Sequence, residues 1–305
     1  MAEIFLALCA GLGLGYYNLF SDWVNKQVIR GMGACLLILL VAMGAKIGAD
    51  PLMVHHAGLL GIKAFFLAMS AIAGSIGGVL LIERLFLREL ATSREITIQT
   101  SNTGISFGLI PSCLVAGIAV GYFLLQPGHI PVLEALATWA LWLMLFAVGL
   151  DLGKNSKTWQ QVRQMGTKAL LIPAFIAIGS VTGTAVAGSF AGIPIREASA
   201  IGAGFGWYSL SGILLTQIYH VETGTLALLT NVAREALAFL LIPIMARKGH
   251  KLACVAPGGA TTMDTTLPII SREAGVEIAP IAFLSGSILT FLVPVLVPLL
   301  IKIGF

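Results

Sequence analysis

Charge is what this chain has least of. Lys, Arg, Asp and Glu together make up 10% of its 305 residues, against roughly 25% in a soluble domain. Too little polar surface remains to meet water on all sides, so a soluble globular protein is excluded. Cysteine is also sparse. Cys9, Cys35, Cys113 and Cys254 stand singly, with no CxxC pair and no Cys/His cluster, so neither a disulfide framework nor a metal site is indicated. A phosphate-binding loop, a nucleotide fingerprint and a nucleophile elbow are missing too. No histidine falls in the middle of an apolar stretch, which deprives an intramembrane enzyme of its base. Neither a cofactor nor a metal is expected, and the protein reads as a non-enzyme.

What the chain has in excess is apolar length. Hydrophobic residues make up 57% and the mean hydropathy is +0.95. A membrane-spanning helix needs about 20 apolar residues. Blocks of that order lie near 2-19, 31-49, 58-82, 105-125, 131-150, 169-191, 197-218, 223-246, 252-270 and 278-303. They are continuous and lack the two-residue alternation of barrel strands, which predicts an all-α polytopic membrane protein embedded in a lipid bilayer. The first block reads as a retained span: no basic stretch precedes Cys9, and Leu8 is large where a lipoprotein signal needs a small residue.

The net charge of +4 is not a nucleic-acid signal, because in a membrane protein lysine and arginine report orientation. If all ten blocks cross, Arg247-Lys248-Gly249-His250-Lys251 faces away from the other basic loops. If 197-218 and 252-270 instead enter the membrane and return on the same side, 13 of the 18 basic residues share one side. These are Lys26, Arg30, Arg84, Arg88, Arg94, Lys154, Lys157, Arg163, Lys168, Arg247, Lys248, Lys251 and Arg272. That side is cytoplasmic by the positive-inside rule, which predicts eight crossings with both termini outside. Composition marks the same two exceptions. The first carries Gly204-Phe205-Gly206-Trp207-Tyr208-Ser209-Leu210-Ser211-Gly212, and the second carries Pro257-Gly258-Gly259-Ala260-Thr261-Thr262-Met263-Asp264-Thr265-Thr266-Leu267-Pro268. Irregular backbone survives at membrane depth only where protein or a watery cavity satisfies its polar groups, so these segments point to a binding site.

An internal repeat organises the rest. A shift of 105 pairs Gly44 with Gly149, Gly48 with Gly153, Lys63 with Lys168, Gly74 with Gly179, Ser75 with Ser180 and Gly78 with Gly183. A shift of 106 pairs Ala10-Gly11 with Ala116-Gly117 and Gly15-Tyr16 with Gly121-Tyr122. The expected organisation is a first three-helix repeat over 1-86, a second over 107-191, and a core over 197-305 that holds both irregular segments and two spans. Each repeat has an odd number of spans, so the second runs upside down, the inverted architecture of many secondary transporters.

An ionisable residue inside a bilayer costs about 2.5 to 3.5 kcal/mol on insertion scales. Three need explaining: Arg234 and Glu235 halfway along 223-246, and Asp264 at the tip of the second irregular segment. Neighbours on a helix point about 100° apart, so Arg234 and Glu235 are expected to face different partners. In the functional reading Arg234 neutralises one carboxylate and the remaining negative charge binds a cation, either substrate or proton. The hydroxyls of Thr261, Thr262 and Thr265 surround Asp264. Trp207, Tyr208, Ser209 and Ser211 form a second candidate lining, with aromatic faces suited to an ammonium group. Interfacial anchoring is the competing reading for Trp207 and Tyr208. His55 and His56 read as a solvated outer loop, Lys46 as a snorkelling lysine, and Asn102-Thr103-Gly104 as either a cavity lining or a helix cap.

The glycine-rich Trp207-Tyr208-Ser209-Leu210-Ser211-Gly212 string, Ala233-Arg234-Glu235, and Gly259 to Pro268 together resemble the bacterial lysine exporter LysO family in order and spacing. The resemblance implies an inner-membrane exporter of L-lysine and toxic lysine analogues such as thialysine, driven by proton exchange, with Glu235 and Asp264 needed for transport. Lysine carries a net charge of plus one, which agrees with a site of net minus one. Family members often carry an acid where this chain has Asn231-Val232, which makes Asn231 a further candidate. The alternative is a sodium/proton or organic-anion antiporter of similar broken-helix architecture. The sequence is compatible with a homodimer.

Overall fold

The computed structural model describes residues 2–17, 22–49, 58–86, 109–125, 127–154 and 166–303. His55, His56, Arg88, Arg94, Asn102-Thr103-Gly104, Lys157 and Arg163 lie outside the described residues. Every regular element among the described residues is helical. Apolar sequence in lipid has no water to bond its backbone, and the helix satisfies that need within one segment.

In chain order the longer helices are α1 (Ala2–Tyr16), α2 (Asp22–Ala49), α3 (Leu59–Phe86), α4 (Leu109–Leu124), α5 (Ile130–Lys154) and α6 (Leu171–Phe190). Two short helices follow, α7 (Ile195–Gly202) and α8 (Tyr208–Ile218), then α9 (Val221–Arg247), α10 (Leu267–Glu273) and α11 (Ala279–Ile303). Among the described residues, five stretches are long and apolar enough to cross a membrane: Leu60–Leu85, Ile130–Leu150, Leu171–Phe190, Val221–Arg247 and Val276–Lys302. Helix α2 starts at Asp22 rather than near 31, because hydropathy marks what lipid accepts while helical hydrogen bonding continues into the polar ends.

The chain divides into two compact units. The first comprises 1–56, 100–164 and 267–280. Here α1 packs on α5, and α2 packs on α4 and α5. Glycines bring the backbones together: a methyl at Gly11 would strike Phe146 O, at Gly15 Leu150 O, and at Gly153 Leu12 O. On the other pair a methyl at Gly117 would strike Val41 O, at Gly121 Ala45 O, and at Gly48 Ile118 O. The second set is the first set displaced by 105 or 106 residues, and in both pairs the contacts advance together, so the paired helices run parallel. Lys46 does not simply snorkel, since its Nζ lies 2.7 Å from Glu134 Oε1 on α5.

The second unit comprises 57–99, 165–266 and 281–305. Helices α3 and α6 cross where Gly74 and Gly179 face each other, with Gly78 on Phe175 and Gly183 on Ser70. The numbering runs in opposite senses across this contact, so the helices are antiparallel. Small residues let such backbones approach closely where lipid offers no hydrophobic drive. Helix α7 packs on α6, α8 on α9, and α9 on α3.

Both expected irregular segments are irregular. Between α7 and α8 the backbone turns through Phe205 (φ 47°) and Gly206 (φ 94°). From Leu252 to Met263 the chain forms a 3-10 turn, one α turn and a second 3-10 turn, broken by Gly259 at φ 62°. The two tips touch: Ala260 N donates to Phe205 O at 2.8 Å. A Cβ at Gly259 would collide with Phe205 O, so glycine is needed there for both its backbone angle and its size.

Candidate functional site

Helix α9 supplies the side chains that organise this contact. Asn231, 1% exposed, receives Gly206 N at its Oδ1 at 2.7 Å. Its Nδ2 donates to Ala227 O at 2.9 Å, Ser211 Oγ at 3.2 Å and Ile201 O at 3.3 Å. Ser211 Oγ in turn donates to Trp207 O at 2.8 Å. One amide therefore fixes the last turn of α7, the left-handed break and the first turn of α8.

Arg234 does the same for the second segment. It is 1% exposed, and its guanidinium donates from Nε to Pro257 O at 3.0 Å and from Nη2 to Ala256 O at 3.2 Å. Nη1 donates to Ser180 Oγ at 2.7 Å and Nη2 to Ser75 Oγ at 3.2 Å. The expectation that Arg234 directly neutralises a carboxylate is therefore not met. Among the described residues no acid pairs with it, because unwinding at 256–259 frees carbonyls that the fork reaches first. A buried charge needs hydrogen bonds in place of water, and four neutral oxygens supply them. Ser75 and Ser180 were not legible as site residues, although the 105-residue offset had paired them. Ser75 Oγ also donates to Ile176 O at 3.2 Å and Ser180 Oγ to Gly202 O at 2.7 Å.

Glu235 follows Arg234 but faces elsewhere. Its Oε1 accepts from Thr265 Oγ1 at 2.6 Å. Asp264 Oδ1 accepts from the Thr265 backbone N–H at 2.6 Å and lies 3.4 Å from Thr265 Oγ1. One hydroxyl thus stands between two carboxylates. Glu235 is buried, whereas Asp264 and Thr265 are half-buried. The other threonines brace the unwound backbone. Thr261 Oγ1 donates to Gly258 O at 3.0 Å and lies 3.2 Å from Thr266 Oγ1. Thr262 Oγ1 is 2.8 Å from both Gly259 O and Ala282 O. Trp207 and Tyr208 are half-buried at the start of α8, and Ser209 is exposed.

A second polar cluster, also not foreseen, ties the ends of the first segment. Tyr219 Oη donates to Glu197 Oε1 at 3.1 Å, Thr223 Oγ1 to Glu197 Oε2 at 2.9 Å, and Arg196 Nη2 to Tyr219 Oη at 2.8 Å. These bonds join the first turn of α7 to the start of α9 and hold the hairpin of short helices shut at its base.

Chemically, the arrangement is an acid pair with one hydroxyl between its members, Glu235 on α9 and Asp264 on the irregular segment, beside a guanidinium that gives four N–H bonds to the protein. Such a pair can hold a proton or an ammonium group.

The chain was compared with known proteins. The sequence pattern of the family described as Lysine exporter LysO matches residues 112–301. Lysine exporter LysO of Escherichia coli (strain K12) is 37% identical over 159 residues, 52% of this chain and 52% of that protein. A Haemophilus influenzae protein provisionally named a lysine exporter is 31% identical over 185 residues, 61% of this chain and 93% of that protein. The match thus spans about half the length of the Escherichia coli relative. No solved structure matches the chain. The family pattern covers well over half the sequence and includes α9, both irregular segments and the acid pair: the chain belongs to the lysine exporter LysO family, a family of membrane transporters.

Proposed function

We propose that this protein exports L-lysine, and analogues such as thialysine, across the bacterial inner membrane by exchange with protons. The observation that carries the reading is the bridge Glu235–Thr265–Asp264 at the meeting of two broken segments. A carboxylate pair in a site of low dielectric binds an ammonium group or a proton but is not neutralised twice at little cost, so the two compete. Competition between proton and lysine for one site is antiport: each leaves where the other arrives. The same reading gives the transporter eight crossings, two re-entrant segments and two inverted repeats that rock about the acid pair. The reciprocal packing of residues 105 or 106 apart supports the repeats.

The test is uptake of radiolabelled lysine into proteoliposomes with and without a pH gradient. Proton-driven lysine uptake is expected, and Glu235→Gln combined with Asp264→Asn should abolish it. Uptake that survives the double substitution would sink the mechanism. Sodium-dependent, lysine-independent proton movement would favour the cation/proton antiporter instead.

A further inference from the structure

A threonine hydroxyl has one proton to give and lone pairs with which to receive. At Thr265 it donates to Glu235 Oε1 at 2.6 Å and lies 3.4 Å from Asp264 Oδ1. The first contact is at the short, charge-assisted end of O–H···O bonds and the second is beyond their usual range. With both carboxylates ionised, the single hydroxyl proton serves Glu235, and Asp264 is held by the Thr265 backbone N–H at 2.6 Å. Protonation of Asp264 changes this. Its new O–H can donate into the lone pair of Thr265 Oγ1, and a shift of less than an ångström closes an unbroken line from Asp264 through Thr265 to Glu235.

We propose that the Thr265 hydroxyl is a proton relay between Asp264 and Glu235, so that the two acids work as one site holding one proton or one substrate ammonium. The proposal rests on the antiport reading above. In the transfer, the Asp264 O–H bond breaks as a new O–H forms at Thr265 Oγ1. The original Thr265 O–H breaks as an O–H forms at Glu235 Oε1. The net change is one proton moved from one carboxylate to the other, and Thr265 ends as it began. The half-buried Asp264 is the end that meets the proton, and the buried Glu235 is the end that stores it.

Among the described residues, the other charges on the elements around α9 stand mostly at helix ends. Arg234 is committed to Ser75, Ser180, Ala256 and Pro257. The helices beside α9 carry Lys63, Glu83 and Arg84 toward the ends of α3, Arg196 and Glu197 at the start of α7, and no charged residue on α6 or α8. On α11, which receives Thr262, the charged residue is Lys302 in its last turn. On the acids' own segment and the rest of α9, Lys251 precedes the unwinding, while Glu222 and Arg247 stand at opposite ends of the helix.

The experiment uses the full protein in proteoliposomes and reads two fluxes: lysine counterflow at equal pH, which moves no net proton, and lysine uptake driven by a pH gradient. Thr265→Val, which keeps the shape and removes the hydroxyl, should slow pH-driven uptake at least about tenfold more than it slows counterflow. Thr265→Ser should keep both fluxes within about threefold of the parent. If Thr265→Val does not yield folded protein, Thr265→Ala takes its place with the same expectation. Equal loss of both fluxes in the hydroxyl-free variant, or undiminished pH-driven uptake, overturns the relay alone. Absence of lysine counterflow in the parent protein overturns the lysine reading and the relay with it.

Discussion

Ser75 and Ser180 stand 105 residues apart in the sequence, yet both accept from the guanidinium of Arg234, at 3.2 and 2.7 Å. They lie one residue beyond Gly74 and Gly179, where α3 and α6 come closest. A single cation thus holds α3, α6 and, through Pro257 and Ala256, the second broken segment.

Arg234→Met should therefore act mainly on folding. It leaves up to four buried oxygens without their donor, at about 1–3 kcal/mol for each one that water does not reach. The expected outcome is loss of monodisperse protein in detergent, monitored by size-exclusion chromatography. Ser75→Ala and Ser180→Ala each remove one acceptor and should lower the melting temperature by similar amounts, because each buried hydroxyl accepts from Arg234 and donates to one carbonyl. A large effect of one with none of the other would contradict that equivalence.

Asn231→Asp makes a charge-sensitive version of the first lock. The Asn231 amide N–H groups donate to Ala227 O, Ser211 Oγ and Ile201 O, whereas an ionised carboxylate has no proton to offer and repels both carbonyls. Protonation restores one donor, so the variant is expected to be impaired at alkaline pH and to recover as the pH falls. Lysine transport measured at fixed gradient over a range of pH, relative to the parent, checks this; a flat ratio would count against it.

Gly259→Ala tests the contact between the two broken segments. The residue sits at φ 62° and its Cβ would press on Phe205 O, which accepts from Ala260 N. Left-handed strain costs on the order of 1–2 kcal/mol before the collision is counted. The expected result is reduced stability together with transport lost more than tenfold, whereas Gly249→Ala, also at positive φ but in open space, should cost only about 1 kcal/mol. Thermal unfolding of the two variants side by side measures the difference.

Topology is open to labelling with single cysteines in a background lacking Cys9, Cys35, Cys113 and Cys254. Val221→Cys should react with an impermeant thiol reagent from outside and His250→Cys only from within. Labelling of His250→Cys from outside would restore ten crossings and remove the re-entrant segments.

Much of this protein is set by its sequence, because lipid makes the rules simple. A bilayer cannot hydrate a backbone, so every long apolar run from Leu60–Leu85 to Val276–Lys302 had to be a helix, and runs rich in glycine, proline and hydroxyls had to break. The cost of a charge in lipid singled out Arg234, Glu235 and Asp264 by position alone. What the sequence leaves open is pairing. Opposite charges suggested that Arg234 meets an acid, yet its partners are Ser75, Ser180 and two carbonyls that exist as acceptors only because the chain unwinds. Likewise Asn231 reads as a lone polar residue until folding brings it Gly206 N and Ser211, and Thr265 is one threonine among four until it alone stands between two carboxylates. Hydropathy and charge are properties of single residues and survive in the linear order. A hydrogen bond needs two atoms within about 3 Å, and which atoms meet is decided only when the helices have packed.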